Sequence, residues 1–244
     1  MDIEKSTILI TGASSGIGLA TATAAIELGA RVALIARRAD RLSEIATRLG
    51  PDAMAVACDV TDPAQIARCV QTVLDTFGRI DVLVNNAGRG FYANIDEIDI
   101  AGYRELLELN TIAPLAMMQA VLPQMRRQGR GTIVNVSSGA TFGALPGAGG
   151  YTSSKAALNM LSDVARIELA ETGITVSTMY PFVTDTEFYG AVQTGENAAE
   201  AELEAVGQAI HAPDRVAAKI LGLIRSGEGK DDLVPKSFGG SLEV

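Results

Sequence analysis

The stretch TILITGASSGIGLATATAAIEL, Thr7 to Leu28, decides the fold. TILIT is a short apolar run with β-branched residues, GASSGIG is a turn with three glycines, and the remainder is an alanine-rich helical segment. Gly12, Gly16 and Gly18 are spaced G-x-x-x-G-x-G. Glycines permit a tight turn and close backbone approach, and a helix opening directly behind them presents free N–H groups and partial positive charge. Strand, glycine-rich turn and helix in that order make a cradle for a pyrophosphate. A dinucleotide is therefore expected here, held by the three glycines with Ser14, Ser15 and Ile17.

The same alternation continues along the chain. Apolar, β-branched runs at 7–11, 31–36, 53–57, 80–84, 132–137 and 174–180 read as buried strands, and 231–235 as a final short one. Helical patterns lie between them near 16–28, 40–49, 63–77, 102–127, 151–172 and 213–226, and Asp62-Pro63 is a helix-start signal. Repeated βα units require a parallel sheet with right-handed crossovers. The expected fold is a doubly wound α/β (Rossmann) domain, one unit over residues 1–244, with about seven parallel strands and helices on both faces. The acidic, alanine-rich segment 187–211 interrupts the pattern and is expected to be a lid over the sheet's carboxyl edge.

Composition narrows the function. A net charge of −9 argues against nucleic acid and anionic membranes as partners, since both need a basic face. No uninterrupted apolar run reaches the roughly 20 residues of a bilayer span, and the N-terminus does not resemble a signal peptide. Cys58 and Cys69 are too few for a disulfide framework, and the sole histidine, His211, forms no metal cluster. A cytoplasmic protein without a metal site is expected. The segments 106–122 and 156–169 carry apolar residues on more than one face, so a second copy is expected to cover part of them, as a homodimer or homotetramer.

Cofactor choice is read at the end of the second strand. An acidic residue there would bond the adenosine ribose 2′-hydroxyl, but RVALIA ends in Ala36 and continues with Arg37 and Arg38. Two guanidiniums suit a 2′-phosphate, and Ser14 offers a hydroxyl beside them. The expectation is NADP(H) rather than NAD(H).

With TGASSGIG (11–18), Asp59-Val60, NNAG (85–88), Asn110, Ser138, Tyr151-x-x-x-Lys155 and Pro181…Thr186 in that order, the chain resembles the short-chain dehydrogenase/reductases over roughly 1–235. The resemblance implies that Asp59 bonds the adenine amino group with the Val60 backbone beside it. Asn86, Ala87 and Gly88 would line the cofactor, and Pro181, Thr184 and Thr186 would flank its carboxamide. Ser137 and Ser138 both end a strand; the family's serine lies thirteen residues before the tyrosine, which selects Ser138.

Tyrosine, with an unperturbed pKa near ~10, is a poor base at neutral pH. Lys155, four residues on and on the same helix face, would favour the phenolate and also bond the nicotinamide ribose. Tyr151 would then serve as general acid or base, Ser138 would bond the reacting oxygen, and Asn110 would hold a water on a proton path. Phe182 replaces the glycine usual after Pro181, so a different local turn is expected there. The expected pocket walls are Phe91, Tyr92, Phe142, Leu145, Phe182, Phe188, Tyr189 and Val192, nearly free of charge, which suits an apolar or aromatic alcohol, ketone or aldehyde. The alternative function is a non-catalytic NADP(H)-binding redox sensor or scaffold; epimerisation or dehydration at the same site is a third reading.

Overall fold

The computed structural model describes residues 1–188 and 210–243. Seven strands, β1 (Thr7–Thr11), β2 (Arg31–Ala36), β3 (Ala53–Ala57), β4 (Val82–Asn85), β5 (Gly131–Val136), β6 (Ile174–Tyr180) and β7 (Lys230–Asp232), join in one sheet. Their order is β3-β2-β1-β4-β5-β6-β7 and every pairing is parallel. The final strand is shorter than the expected 231–235. Beyond it Leu233 N–H still donates to Tyr180 O, and Val234 remains buried.

Strand residues alternate between two cores, as the two-residue period of a strand requires. Ile8, Ile10, Val32, Leu34, Val82 and Val84 face α1 (Gly16–Glu27), α2 (Ala39–Leu49) and the last described helix, α7 (Pro213–Ser226). Leu9, Ala33, Ile35, Leu83 and Ile133 face α3 (Pro63–Phe77) and α5 (Ala113–Gln128). Asp62 caps α3 by accepting from the Ala64 and Gln65 N–H groups at 2.8 and 3.2 Å, with Pro63 at the first helical position.

The expected helix over 102–127 is three pieces: α4 (Ile100–Leu107), a π-helical turn (Glu108–Ile112) and α5. The continuous run Ile100–Gln128 is long and apolar enough by composition to cross a membrane. Its Met117, Val121 and Met125 are instead wholly buried against the sheet. The remaining long helix, α6 (Gly149–Leu169), starts two residues before Tyr151 and ends in a short 3₁₀ turn (Ala170–Thr172). Most of the expected lid over 187–211 lies outside the described residues.

Strand order reverses between β1 and β4, whose crossovers leave in opposite directions. A crevice must open beyond the carboxyl ends of these strands, and it is there that ligands bind in this class of sheet. That geometry places the site.

Candidate active site

Two glycines of the first turn have left-handed backbone angles, with φ of 65° at Gly12 and 52° at Gly16. A Cβ on Gly18 would lie 2.5 Å from Gly12 O and 2.6 Å from Asn86 Nδ2, so no larger residue fits without moving the turn. Asn86 staples this turn to the end of β4: its Nδ2 donates to Thr11 O at 2.9 Å and to Gly12 O at 3.3 Å. Thr11 Oγ1 accepts from the N–H groups of Asn86 and Ala87, each at 3.0 Å. The glycine turn is thereby held open by side-chain bonds that leave the N–H groups at the start of α1 directed toward the crevice.

A single cleft of about 1080 Å³ runs along this edge. At one end stand Arg37, Arg38, Asp59 and Val60; the middle is the glycine turn with Asn86, Ala87 and Gly88; at the other end are Ser138, Tyr151, Lys155, Pro181, Thr184 and Thr186. Asp59 Oδ1 accepts from Thr61 N–H and Oγ1 at 3.0 and 2.8 Å. Those bonds, the backbone one foremost, hold the carboxyl below its usual range. Arg38 Nη2 donates to Ser14 Oγ at 3.0 Å, which joins the end of β2 to the glycine turn. The positive-φ glycines, the closely approached Gly18 and the arginine-lined end fit a dinucleotide.

The catalytic candidates converge at the other end. Tyr151 and Lys155 are one helical turn apart near the start of α6, and both are buried. Lys155 Nζ donates to Val136 O at 2.9 Å, and burial pushes its pKa down to about 8. The two serines part company. Both line the cleft, but Ser137 Oγ donates to Asn159 Oδ1, whereas Ser138 Oγ accepts from Ala140 N–H at 3.2 Å as the cap of a 3₁₀ turn (Gly139–Phe142). Accepting that bond leaves the Ser138 hydroxyl hydrogen to be donated elsewhere.

Asn110 sits in the π-helical turn and is wholly buried. Its Oδ1 accepts from Arg89 N–H at 3.1 Å, and its Nδ2 donates to Arg89 O at 3.0 Å and Ser154 Oγ at 3.1 Å. The amide therefore clamps the chain next to Gly88. A Cβ on Gly88 would lie 3.1 Å from Asn110 Oδ1 and 3.3 Å from Lys155 Nζ, so glycine lets these groups approach one another.

The pocket walls agree only in part with expectation. Tyr92, Phe142, Leu145, Phe182 and Phe188 line the cleft, while Tyr189 and Val192 lie outside the described residues. Phe91 does not line it: the ring is wholly buried, close against Gly150, in a cluster with Leu106 and Tyr151. Phe182 needs no glycine-like backbone, because Lys5 is the one non-glycine residue with positive φ among the described residues. Its ring packs on Phe238 at 5.1 Å between centroids. Sequence reasoning missed Ser237, Phe238 and Gly239, which the end of the chain brings to the cleft wall. It also missed charge there: Arg89, Glu105 and Glu108 line the cleft, and Arg89 Nη2 pairs with Glu105 Oε2 at 3.1 Å.

A family model described as short chain dehydrogenase matches residues 6–197. The sorbitol dehydrogenase of Cereibacter sphaeroides is 41% identical over 193 residues, covering 79% of this chain and 75% of its own. The solved alcohol dehydrogenase of Thermococcus sibiricus, complexed with 5-hydroxy-NADP, is 28% identical with a TM-score of 0.81, over 94% of this chain and 96% of its own. A short-chain dehydrogenase/reductase of Burkholderia phymatum in complex with NAD matches in fold, with a TM-score of 0.91 and 23% identity over 98% of this chain and 92% of its own.

Proposed function

The chain belongs to the short chain dehydrogenase family, and from that premise we propose that it interconverts an apolar or aromatic alcohol and its carbonyl compound with NADP(H), using Tyr151 as general acid and base. One observation carries the reading: a single cleft joins the Arg37–Arg38 end, the glycine turn and the Ser138–Tyr151–Lys155 group.

The cofactor, when bound, supplies or accepts the hydride. Gly12, Ser14, Ser15, Gly16, Ile17 and Gly18 would hold its phosphates, Arg37 and Arg38 the 2′-phosphate, and Asp59 and Val60 the adenine. Asn86, Ala87, Gly88, Pro181, Thr184 and Thr186 would hold the nicotinamide half, with Lys155 on its ribose. In carbonyl reduction Tyr151 gives its phenolic proton to the substrate oxygen; in alcohol oxidation it takes that proton away. The Lys155 charge and the N-terminus of α6 both stabilise negative charge on the phenol oxygen. Ser138 donates its hydroxyl hydrogen to the substrate oxygen as charge develops there. Asn110 fixes the Gly88–Arg89 turn and the Ser154 hydroxyl, and so the wall against which Lys155 rests; it is also our candidate to hold a water on the proton path.

The rings of Tyr92, Phe142, Phe182 and Phe188 favour an apolar or aromatic substrate, and Arg89 with its Glu105 partner adds a polar rim. Cys58 and Cys69 are free thiols, which agrees with a reducing, cytoplasmic location. The outer face of α6 exposes Met160, Val164 and Ile167 at helical spacing, at 64%, 43% and 77%, which supports a homo-oligomer formed over that face. The test is a spectrophotometric screen of NADPH and NADH oxidation over aldehydes and ketones of graded size. Turnover of apolar or aromatic carbonyls with NADPH, and its loss of preference over NADH in Arg37→Ala and Arg38→Ala, is expected. Binding of the cofactor with no turnover of any carbonyl would overturn the reading.

A further inference from the structure

The adenosine end of the cleft already holds a carboxylate. Arg41, in the first turn of α2, makes a two-pronged ion pair with Glu187: Nη1 to Oε2 at 3.1 Å and Nη2 to Oε1 at 2.5 Å. Arg38 Nη2, the atom bonded to Ser14 Oγ, lies 3.6 Å from the same Glu187 Oε2. Glu187 is thus seated between two guanidiniums beside the glycine turn. A ribose 2′-phosphate, read from the end of β2, would need the same donors.

The chain brings Glu187 there through its neighbours. Thr186 packs on the glycine turn, where a Cβ on Gly16 would come within 2.9 Å of Thr186 Cγ2. Phe188 sets its ring 5.9 Å from that of Tyr151. Three successive residues therefore touch the phosphate turn, the arginine pair and the catalytic candidate. The arginines, Arg41 foremost, hold the Glu187 carboxyl below its usual range, so it is a full negative charge at neutral pH. Its side chain is nevertheless 54% exposed and that of Arg38 53% exposed. An ion pair so open to water is weak enough to exchange. A phosphate near −2 with three acceptor oxygens is a stronger ligand for the same fork.

We propose that Glu187 is a cofactor-specificity residue, an internal carboxylate that competes with the 2′-phosphate for the Arg38–Arg41 cradle and so lowers the preference for NADP(H) over NAD(H). Arg41 is then a phosphate ligand in its own right, one turn beyond the two arginines adjacent to β2. Glu187 touches no reacting atom and acts on binding alone. The inference rests on the reading that the arginine end takes a 2′-phosphate.

The test is calorimetric titration with 2′,5′-ADP and 5′-AMP at low ionic strength, on wild type and on the Glu187→Gln, Arg41→Gln, Arg38→Gln and Arg41→Gln/Glu187→Gln variants. Glu187→Gln is expected to tighten 2′,5′-ADP about fivefold, the scale of one exposed ion pair, while 5′-AMP binding is unchanged. In the Arg41→Gln background the same Glu187→Gln change should tighten 2′,5′-ADP less than it does in wild type, because only Arg38, 3.6 Å from Glu187, is left to compete for. Unchanged 2′,5′-ADP affinity in Glu187→Gln, with weakened binding in Arg38→Gln, overturns the competition and leaves the phosphate site standing. Equal affinity for both ligands in wild type, Arg38→Gln and Glu187→Gln overturns the phosphate site and the competition together.

Discussion

At the scale of single residues, the least comfortable group in the cleft is Lys155. It is buried with one carbonyl as its recorded hydrogen-bond partner, and its pKa falls from an ordinary 10.5 to about 8 because burial penalises the charge. Below pH 8 the lysine is charged in both folded and unfolded chains, and the full penalty opposes folding. Between pH 8 and 10.5 the folded chain has released the proton while the unfolded chain still holds it, so stability contributed by this group rises with pH there. The melting temperature of wild type minus that of Lys155→Met should therefore be flat from pH 6 to about 7.5 and climb between 8 and 10.5. A difference that stays level through pH 10 would show that the ammonium is not penalised. The tyrosine–lysine spacing was legible in the sequence because one helical turn fixes it. The burial that tunes the lysine was not, since it depends on Val136 and Gly88, brought in from β5 and from the turn after β4.

At the scale of elements, the glycine turn and α1 work because of what is missing from Gly18. An added methyl would collide with Gly12 O at 2.5 Å. Gly18→Ala should weaken cofactor binding at least about tenfold and lower the melting temperature, since the backbone of the turn must move. Gly222, exposed in α7 with no atom within 4 Å of an added Cβ, is the control. There alanine should stabilise by roughly 0.5–1 kcal/mol, read by urea unfolding, with cofactor affinity unchanged. Loss of stability at Gly222 or none at Gly18 would contradict this account of packing. Strand runs and the first helix follow their patterns in the sequence because local periodicity and glycine placement dictate them. The π-helical turn over Glu108–Ile112 leaves no such mark. The sequence runs on through it as one helical segment from α4 into α5, and Asn110 within the turn clamps Arg89, a contact 21 residues apart.

At the scale of the whole molecule, strand order, layers and the position of the crevice follow from the succession of βα units, which leaves few ways to wind the sheet. What the sequence hid at this scale are the meetings of distant segments. The end of the chain packs Phe238 on Phe182, and Arg41 reaches Glu187 across 146 residues. For the exposed Met160–Val164–Ile167 face of α6, the proposed partner is a second copy of the chain. Sedimentation should give a dimer or tetramer for wild type and a monomer for Ile167→Glu with Met160→Glu; a monomeric wild type would remove the oligomer proposal. The central claim concerns the proton at Tyr151, and single-turnover hydride transfer in Tyr151→Phe tests it most directly, with NADPH affinity measured on the same protein. The account predicts a loss of about 10²–10⁴ in the rate with cofactor affinity little changed. A variant that binds NADPH normally and keeps most of its rate would contradict it.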